Sequence, residues 1–93
     1  MLILEKFTKQ PADVQDYDIS FVEYLAALSD TAASYTATVA SGITMITSAR
    51  IGGVIKVWLS GGLDGQAYKI TVTLTTTGGR VKQAEVIIKV REV

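Results

Sequence analysis

The sequence predicts an all-β sandwich of about seven short strands, with one short helical turn near residues 21–28. Three features support this: apolar residues recur at every second position over the last two thirds of the chain, β-branched residues are dense there, and glycine turns separate the runs. A period of two places one face of each strand in a core and the other in water. Two sheets packed face to face satisfy this pattern.

The clearest pair of strands lies near the C-terminus. Apolar and polar residues alternate over 68–75 and again over 81–91, and Thr77-Gly78-Gly79-Arg80 separates the two runs. Paired glycines supply the positive φ angles that tight turns require. The sequence therefore predicts a β-hairpin here.

Five further strands are predicted ahead of this hairpin. They cover residues 2–7, 17–21, 34–40, 43–48 and 54–59. The first is an edge strand closed by Pro11, which has no N–H to donate to a ladder.

Residues 21–28 depart from the period of two. Their apolar positions are Phe21, Tyr24, Leu25 and Leu28, which have helical spacing. A helical turn is predicted, with Ser20 as its N-cap and Glu23 at the third helical position. The alternative is a chain that stays extended through Tyr24.

The chain is predicted to be one domain over residues 1–93, because no repeat or linker interrupts it. Residues 1–10 form either the edge strand or an arm used in assembly. The apolar run at residues 1–4 ends at Glu5 and Lys6. It is too short for a signal peptide or a membrane span, so neither is predicted.

Composition argues against an enzyme. The chain contains no cysteine and no histidine, which removes thiolate nucleophiles, imidazole acid–base chemistry and the usual zinc sites. A formal net charge of zero disfavours nucleic acid as a partner. Acids exceed bases by six to two through Asp30, and bases exceed acids by seven to three after it. These halves could neutralise each other within one fold, between copies, or stay solvated.

Acidic residues cluster in the first quarter of the chain, at Asp13, Asp16, Asp18 and Glu23. Asp16 and Asp18 would share a strand face about 7 Å apart. Calcium binding or glycoside hydrolysis would need such carboxylates, but the spacing lacks the EF-hand glycine and final glutamate. A solvated face or docking patch is favoured, and no catalytic residue, metal or cofactor is predicted.

Two aromatic residues, Tyr68 and Trp58, bear on the type of sandwich and on a candidate binding surface. Tyr68 follows Asp64-Gly65-Gln66-Ala67 and begins the best strand, as the tyrosine corner of immunoglobulin-like sandwiches does. The alternative is a half-buried strand aromatic. Strict alternation places Trp58 opposite Ile55 and Val57, on an outer surface suited to a protein interface or a sugar ring. A bulge at Gly52-Gly53 would instead return it to the core.

A family resemblance follows from several motifs. They are Lys9-x-Pro11, Asp16-Tyr17-x-Ile19-x-Phe21 with Leu25, Val57-Trp58-Leu59-Ser60-Gly61-Gly62 with Gly65 and Tyr68, Thr75-Thr76, and Gly79-Arg80. Over residues 6–92 the chain resembles the short fibre-to-tail adaptor or cement-type proteins of tailed bacteriophages. It departs from that pattern at Phe21 and Tyr24, where tryptophans are expected.

The resemblance implies an immunoglobulin-like structural protein of the virion, made in the host bacterial cytoplasm and present in several copies. Its expected partners are other tail, neck or fibre proteins and further copies of itself, without nucleic acid or membrane. Interface candidates are Trp58, Leu2, Leu4, Phe7, Asp16 and Asp18, with Asp64 and Tyr68 as structural corner residues. The alternatives are a capsid decoration protein or a carbohydrate-binding, adhesin-type module.

Overall fold

A computed structural model describes residues 2–92, with side chains described from Phe7 onward. Over this range the chain forms seven strands and one helix. Their bounds are β1 Leu2–Lys9, β2 Gln15–Ser20, α1 Val22–Ala27, β3 Ala32–Val39, β4 Ile43–Ile51, β5 Val54–Gly61, β6 Ala67–Thr76 and β7 Val81–Val90.

The strands form two sheets that pack face to face. One sheet has the order β1-β7-β6-β3, and the other has the order β2-β5-β4. β1 runs parallel to β7, and all other neighbours are antiparallel. This is an immunoglobulin-like sandwich, so the predicted fold class is confirmed.

The core lies between the two sheets and contains the apolar residues that alternation predicted to point inward. The fully buried members are Ile55, Val57, Leu59, Ile70, Val72, Leu74, Val86, Ile88 and Val90. Each such side chain contributes about 1.5–3 kcal/mol through burial. The predicted hairpin is present as well, with β6 and β7 paired from Thr75 and Val81 to Ala67 and Lys89.

The helical turn is present, but its predicted cap is wrong. α1 begins at Val22, its N-cap position is Phe21, and no side chain caps it; Ser20 Oγ accepts only a 3.3 Å hydrogen bond from Val22 N. Ser20 remains in the strand because it pairs with Val54, and Phe21 N–H donates to Gly53 O at 2.8 Å. Glu23 therefore occupies the second helical position.

Tyr68 stabilises the segment between β5 and β6, where the chain passes from one sheet to the other. Its hydroxyl accepts a 2.9 Å hydrogen bond from the N–H of Leu63, five residues upstream, which is the contact that the tyrosine-corner hypothesis requires. Its ring fits against two glycines: a Cβ at Gly42 would lie 2.9 Å from its Cε1, and one at Gly62 3.2 Å from its Cε2. The Asp64 carboxylate hydrogen-bonds elsewhere: its Oδ1 accepts from Glu92 N at 2.9 Å.

Lys9 connects the two sheets from a buried position at the end of β1. Only 1% of the residue is exposed. Its Nζ donates to Gly61 O at 2.7 Å, Gln10 O at 2.8 Å and Pro11 O at 3.3 Å. Burial lowers the pKa of this ammonium, opposed by the nearby Asp13 carboxylate. Because Gly61 ends β5, the bonds join one sheet to the other.

The two oppositely charged halves of the chain partly neutralise each other within the fold. Lys56 Nζ lies 2.9 Å from Asp16 Oδ2 and 3.3 Å from Asp18 Oδ1, and Arg80 Nη1 lies 2.9 Å from Asp30 Oδ2. Each of these contacts joins an acid of the first third to a base of the remainder. The charge asymmetry is therefore, at these positions, an internal pairing of the fold.

Asp30 makes the stability of the fold depend on pH. A side-chain hydrogen bond from Thr76 and the backbone N–H of Thr31 are the largest causes that lower its pKa to about 2, and Gly78 N–H and Arg80 add to them. The carboxylate therefore stabilises the fold above its unfolded pKa of 3.8, and this contribution is lost as the pH falls towards 2.

We expect Asp30→Asn to remove this titration. The urea midpoint of the native chain should fall more steeply than that of the variant between about pH 4 and about pH 2. The difference between the two urea midpoints at neutral pH measures the loss of the Asp30–Arg80 ion pair, which is separate from the titration. Parallel pH profiles for the two proteins would contradict the assignment.

Candidate protein-binding face

Trp58 lies on the outer surface of the three-stranded sheet. Its neighbours Val57 and Leu59 are fully buried, while Trp58 is 38% exposed. Pairing between β2 and β5 runs without a register shift from Gln15–Leu59 to Ser20–Val54. No bulge in this ladder turns the indole inward, so the core alternative is wrong.

The strand register places defined residues around this indole. Asp16 of β2 and Thr47 of β4 pair directly with Trp58, one on each side. One step along the sheet, Asp18 and Ala49 flank Lys56 in the same way. We call this surface the Trp58 face; its members are Asp16, Asp18, Thr47, Ala49, Lys56 and Trp58.

An ion-pair network occupies the charged part of the Trp58 face. Lys56 Nζ bridges Asp16 Oδ2 and Asp18 Oδ1. The hydrogen bond from Lys56 is the largest cause that lowers the pKa of Asp16, and the bonds to Asp16 and Asp18 raise the pKa of Lys56. Lys56 therefore favours the ionised form of Asp16 and orients both carboxylates beside the indole.

This arrangement offers little to a metal ion. Lys56 occupies the space between the two carboxylates with a positive charge, which opposes binding of a cation. Among the side chains described, those of residues 7–92, no three acidic groups are close enough together to hold one. What the face offers a ligand is one exposed aromatic surface beside fixed charges.

Two isoleucines of β4, Ile46 and Ile51, are also exposed, and the sequence pattern did not identify them. Ile51 pairs with Val54 and is 65% exposed. Ile46 is 56% exposed because it lies at a register shift between Met45 and Thr47. The break in alternation after Met45 is a sequence signal for such a bulge.

The remaining interface candidates lie elsewhere. Phe7 is half-buried and packs on Tyr17, with ring centroids 4.8 Å apart at 46°, so it joins the edge of the core and not the Trp58 face. Leu2 and Leu4 belong to β1, whose backbone is described, but their side chains lie outside the described residues. The structure thus brings together Trp58, Asp16 and Asp18 from the predicted set.

A groove of about 330 Å³ lies between α1 and the turn that joins β4 to β5. Val22 and Leu25 form one wall, and Arg50 and Gly53 form the other. Arg50 Nη1 donates to Gly52 O at 2.9 Å, and Asp30 at its rim is paired with Arg80. The polar groups of the groove therefore already have partners within the chain.

These features define a small immunoglobulin-like module that presents a sheet face with an exposed aromatic residue. The family model of the podophage GP4 fiber-tail adaptor protein gp77 matches residues 9–89. The chain belongs to this family. It is a structural adaptor of the phage fibre and tail, and so a component of the virion. No curated protein matches the chain.

The family match confirms the resemblance drawn from the sequence motifs. It begins at Lys9, the buried lysine that joins the sheets, and ends at Lys89, near the end of β7. It therefore covers nearly all of both sheets but only the last residue of β1. None of the helical structure in residues 2–92 has the length and apolar character needed to cross a bilayer.

Proposed function

We propose that this chain joins a tail or neck protein to a fibre protein by non-covalent contacts alone, and that the Trp58 face is one of its contact surfaces. The chain acts without catalysis, in several copies, and without binding nucleic acid or membrane. It is made in the host cytoplasm and functions in the virion. The observation that carries the proposal is the exposed indole of Trp58 at the centre of a sheet face.

The chemistry of the Trp58 face suits a protein partner. Tryptophan is enriched among the residues that dominate protein interfaces, because its large flat surface loses little conformational entropy on binding. The adjacent Lys56 ion pairs supply a polar rim. The zero net charge of the chain supports a protein partner over nucleic acid.

Trp58→Ala should weaken binding to one partner by tenfold or more, since loss of a central aromatic anchor typically costs about 2 kcal/mol or more. Calorimetric titration against the purified tail protein and the purified fibre protein of the same phage measures this. Val81→Ala is the matched control: Val81 is 66% exposed but begins β7 in the other sheet. Its affinity should stay near that of the native chain.

Equal affinities for the native chain and Trp58→Ala, with both partners, would refute a role for this face. Binding of neither partner by the native chain would refute the adaptor proposal itself. Circular dichroism of the variants checks that the fold is retained, as the outward position of both side chains leads us to expect.

An exposed indole also fits the carbohydrate-binding alternative, because aromatic faces stack on sugar rings. A glycan array separates the two functions. Sugar binding that disappears in Trp58→Ala, together with unchanged protein partners, would favour the adhesin-type module. The adaptor proposal expects no glycan signal that depends on Trp58.

A further inference from the structure

The side of the sandwich formed by β3 and β4 carries no charge over a long stretch of chain. No charged residue stands between Asp30 and Arg50, which spans all of β3 and most of β4. The opposite edges differ: β1 contains Glu5 and Lys6, and β2 contains aspartates. Charged residues on edge strands normally prevent pairing with other chains. Their absence leaves this side open to another strand.

Of these two edges, β3 has no charged residue, whereas β4 includes Arg50. The pairing of β3 with β6 is continuous from Ser34–Thr75 to Val39–Ile70. β3 has a register shift only at its start, between Ala32 and Ser34, whereas the shift in β4 lies in the middle of the strand, between Met45 and Thr47. Such an irregularity bends an edge and disrupts further pairing.

The hydrogen bonds show which backbone groups of β3 remain available. Ala40 N donates to Lys69 O at 3.0 Å, in register with the β3–β6 ladder. In an antiparallel pair, residues facing the partner alternate with residues facing away. The N–H and C=O groups of Tyr35, Ala37 and Val39 therefore point away from β6. Within residues 2–92, no strand pairs with that side of β3.

We propose that β3 pairs antiparallel with β3 of a second copy, about a twofold axis at Ala37. The two four-stranded sheets would then join into one continuous sheet. This inference adds to the proposed function how two copies of the adaptor contact each other. It rests on that function in one respect: the adaptor works in several copies. The partner is a second copy because the outward backbone groups and the side chains around Ala37 are self-complementary.

The self-complementarity follows from the sequence Tyr35-Thr36-Ala37-Thr38-Val39. In this register, Thr36 lies opposite Thr38 of the partner subunit on the exposed face, and cross-strand threonine pairs stabilise sheets. Tyr35 lies opposite Val39 of the partner subunit on the inner face. The Tyr35 side chain is already fixed there, since its Oη lies 2.8 Å from Ser48 Oγ.

The same twofold self-pairing is unfavourable at β2, an edge strand whose ladder with β5 has no register shift. A twofold pairing of β2 would bring Asp16 and Asp18 close to their own copies, and like charges on paired strands destabilise a sheet. At β3 no charge of either sign is brought together. The contrast selects β3 as the strand that self-associates.

Two charged double variants at the same positions test both the pairing and its register. T36K/T38K places lysine opposite lysine in each cross-strand pair, whereas T36K/T38E places lysine opposite glutamate. Both side chains are exposed and face uncharged threonines of β6, so each variant should fold as the native chain does.

Sedimentation velocity over about 10 µM to about 1 mM should show a native monomer–dimer equilibrium. We expect T36K/T38K to dimerise about tenfold or more weakly than T36K/T38E, which should stay close to the native chain or exceed it. A native chain that is monomeric throughout, or equal association of the two variants, would overturn the inference.

Amide hydrogen exchange supplies a second readout. In concentrated native protein, the amides of Tyr35, Ala37 and Val39 should become protected, and Ala37→Pro should abolish this. Proline is tolerated there because the N–H of Ala37 faces away from β6. Unprotected amides in a dimeric sample would overturn the β3 assignment. A monomer that still binds its tail and fibre partners would refute this inference and leave the proposed function standing.

Discussion

Gly62→Ala should lower the free energy of unfolding by about 3 kcal/mol. Gly62 has φ +94°, a conformation that costs an alanine about 1–2 kcal/mol. A Cβ there would also lie 2.7 Å from Val90 Cγ2 and 3.2 Å from Tyr68 Cε2. Val90 is fully buried, so it can yield only by disturbing the core beside the tyrosine corner. Urea unfolding followed by tryptophan fluorescence measures the change.

Gly61→Ala is the matched control one residue away. Gly61 has φ +78°, but no described atom lies within 4 Å of a Cβ built there. Its substitution should therefore cost only the backbone strain, about 1 kcal/mol. The difference between the two variants measures the close approach of Gly62 to Val90. Equal losses would show that backbone strain alone explains both glycines.

The strands were predictable because their cause is local. Alternation at Ile70, Val72 and Leu74 records directly which face is buried, and each has at most 1% exposure. The hairpin depends on Gly78 and Gly79, which adjoin the strands they connect. Trp58 followed from the same alternation, although the sequence alone left a bulge as an alternative. In the structure Trp58 lies on the outer surface, because the β2–β5 ladder is unbroken.

The features that escaped prediction depend on contacts between distant segments. The helix cap failed because Phe21 N–H bonds Gly53, more than thirty residues away, and keeps Ser20 in its strand. The exposure of Ile46 depends on a register shift against β5, which single-strand alternation does not show. In the candidate site, Asp16 and Asp18 were expected on one face, but their shared partner Lys56 comes from another strand.

Lys9 is the clearest such case, because a lysine at the end of an edge strand is normally exposed. Here its aliphatic stem is buried, and its ammonium is surrounded by carbonyls from two parts of the chain that sequence does not bring together. Burial of a charge is costly unless hydrogen bonds replace its water. The three carbonyls provide that replacement, and they also hold the β1–β2 connection against the end of β5.

Lys9→Met should therefore lower the free energy of unfolding by about 2 kcal/mol, because hydrogen bonds from a charged donor are worth about 1.5–3 kcal/mol. Methionine keeps most of the apolar stem but leaves the carbonyls of Gln10 and Gly61 without their donor. Part of the loss is offset, since the variant no longer buries a charge. Chemical denaturation at neutral pH gives the value.

Lys89→Met is the appropriate control, because Lys89 is an exposed lysine on β7, the strand beside β1. It should change stability by less than about 0.5 kcal/mol. Hydrogen exchange adds a structural test: in Lys9→Met, amides near Gly61 and Pro11 should exchange faster than in the control. If both variants were as stable as the native chain, the ammonium would not be holding the sheets together, and apolar packing between them would have to account for that junction.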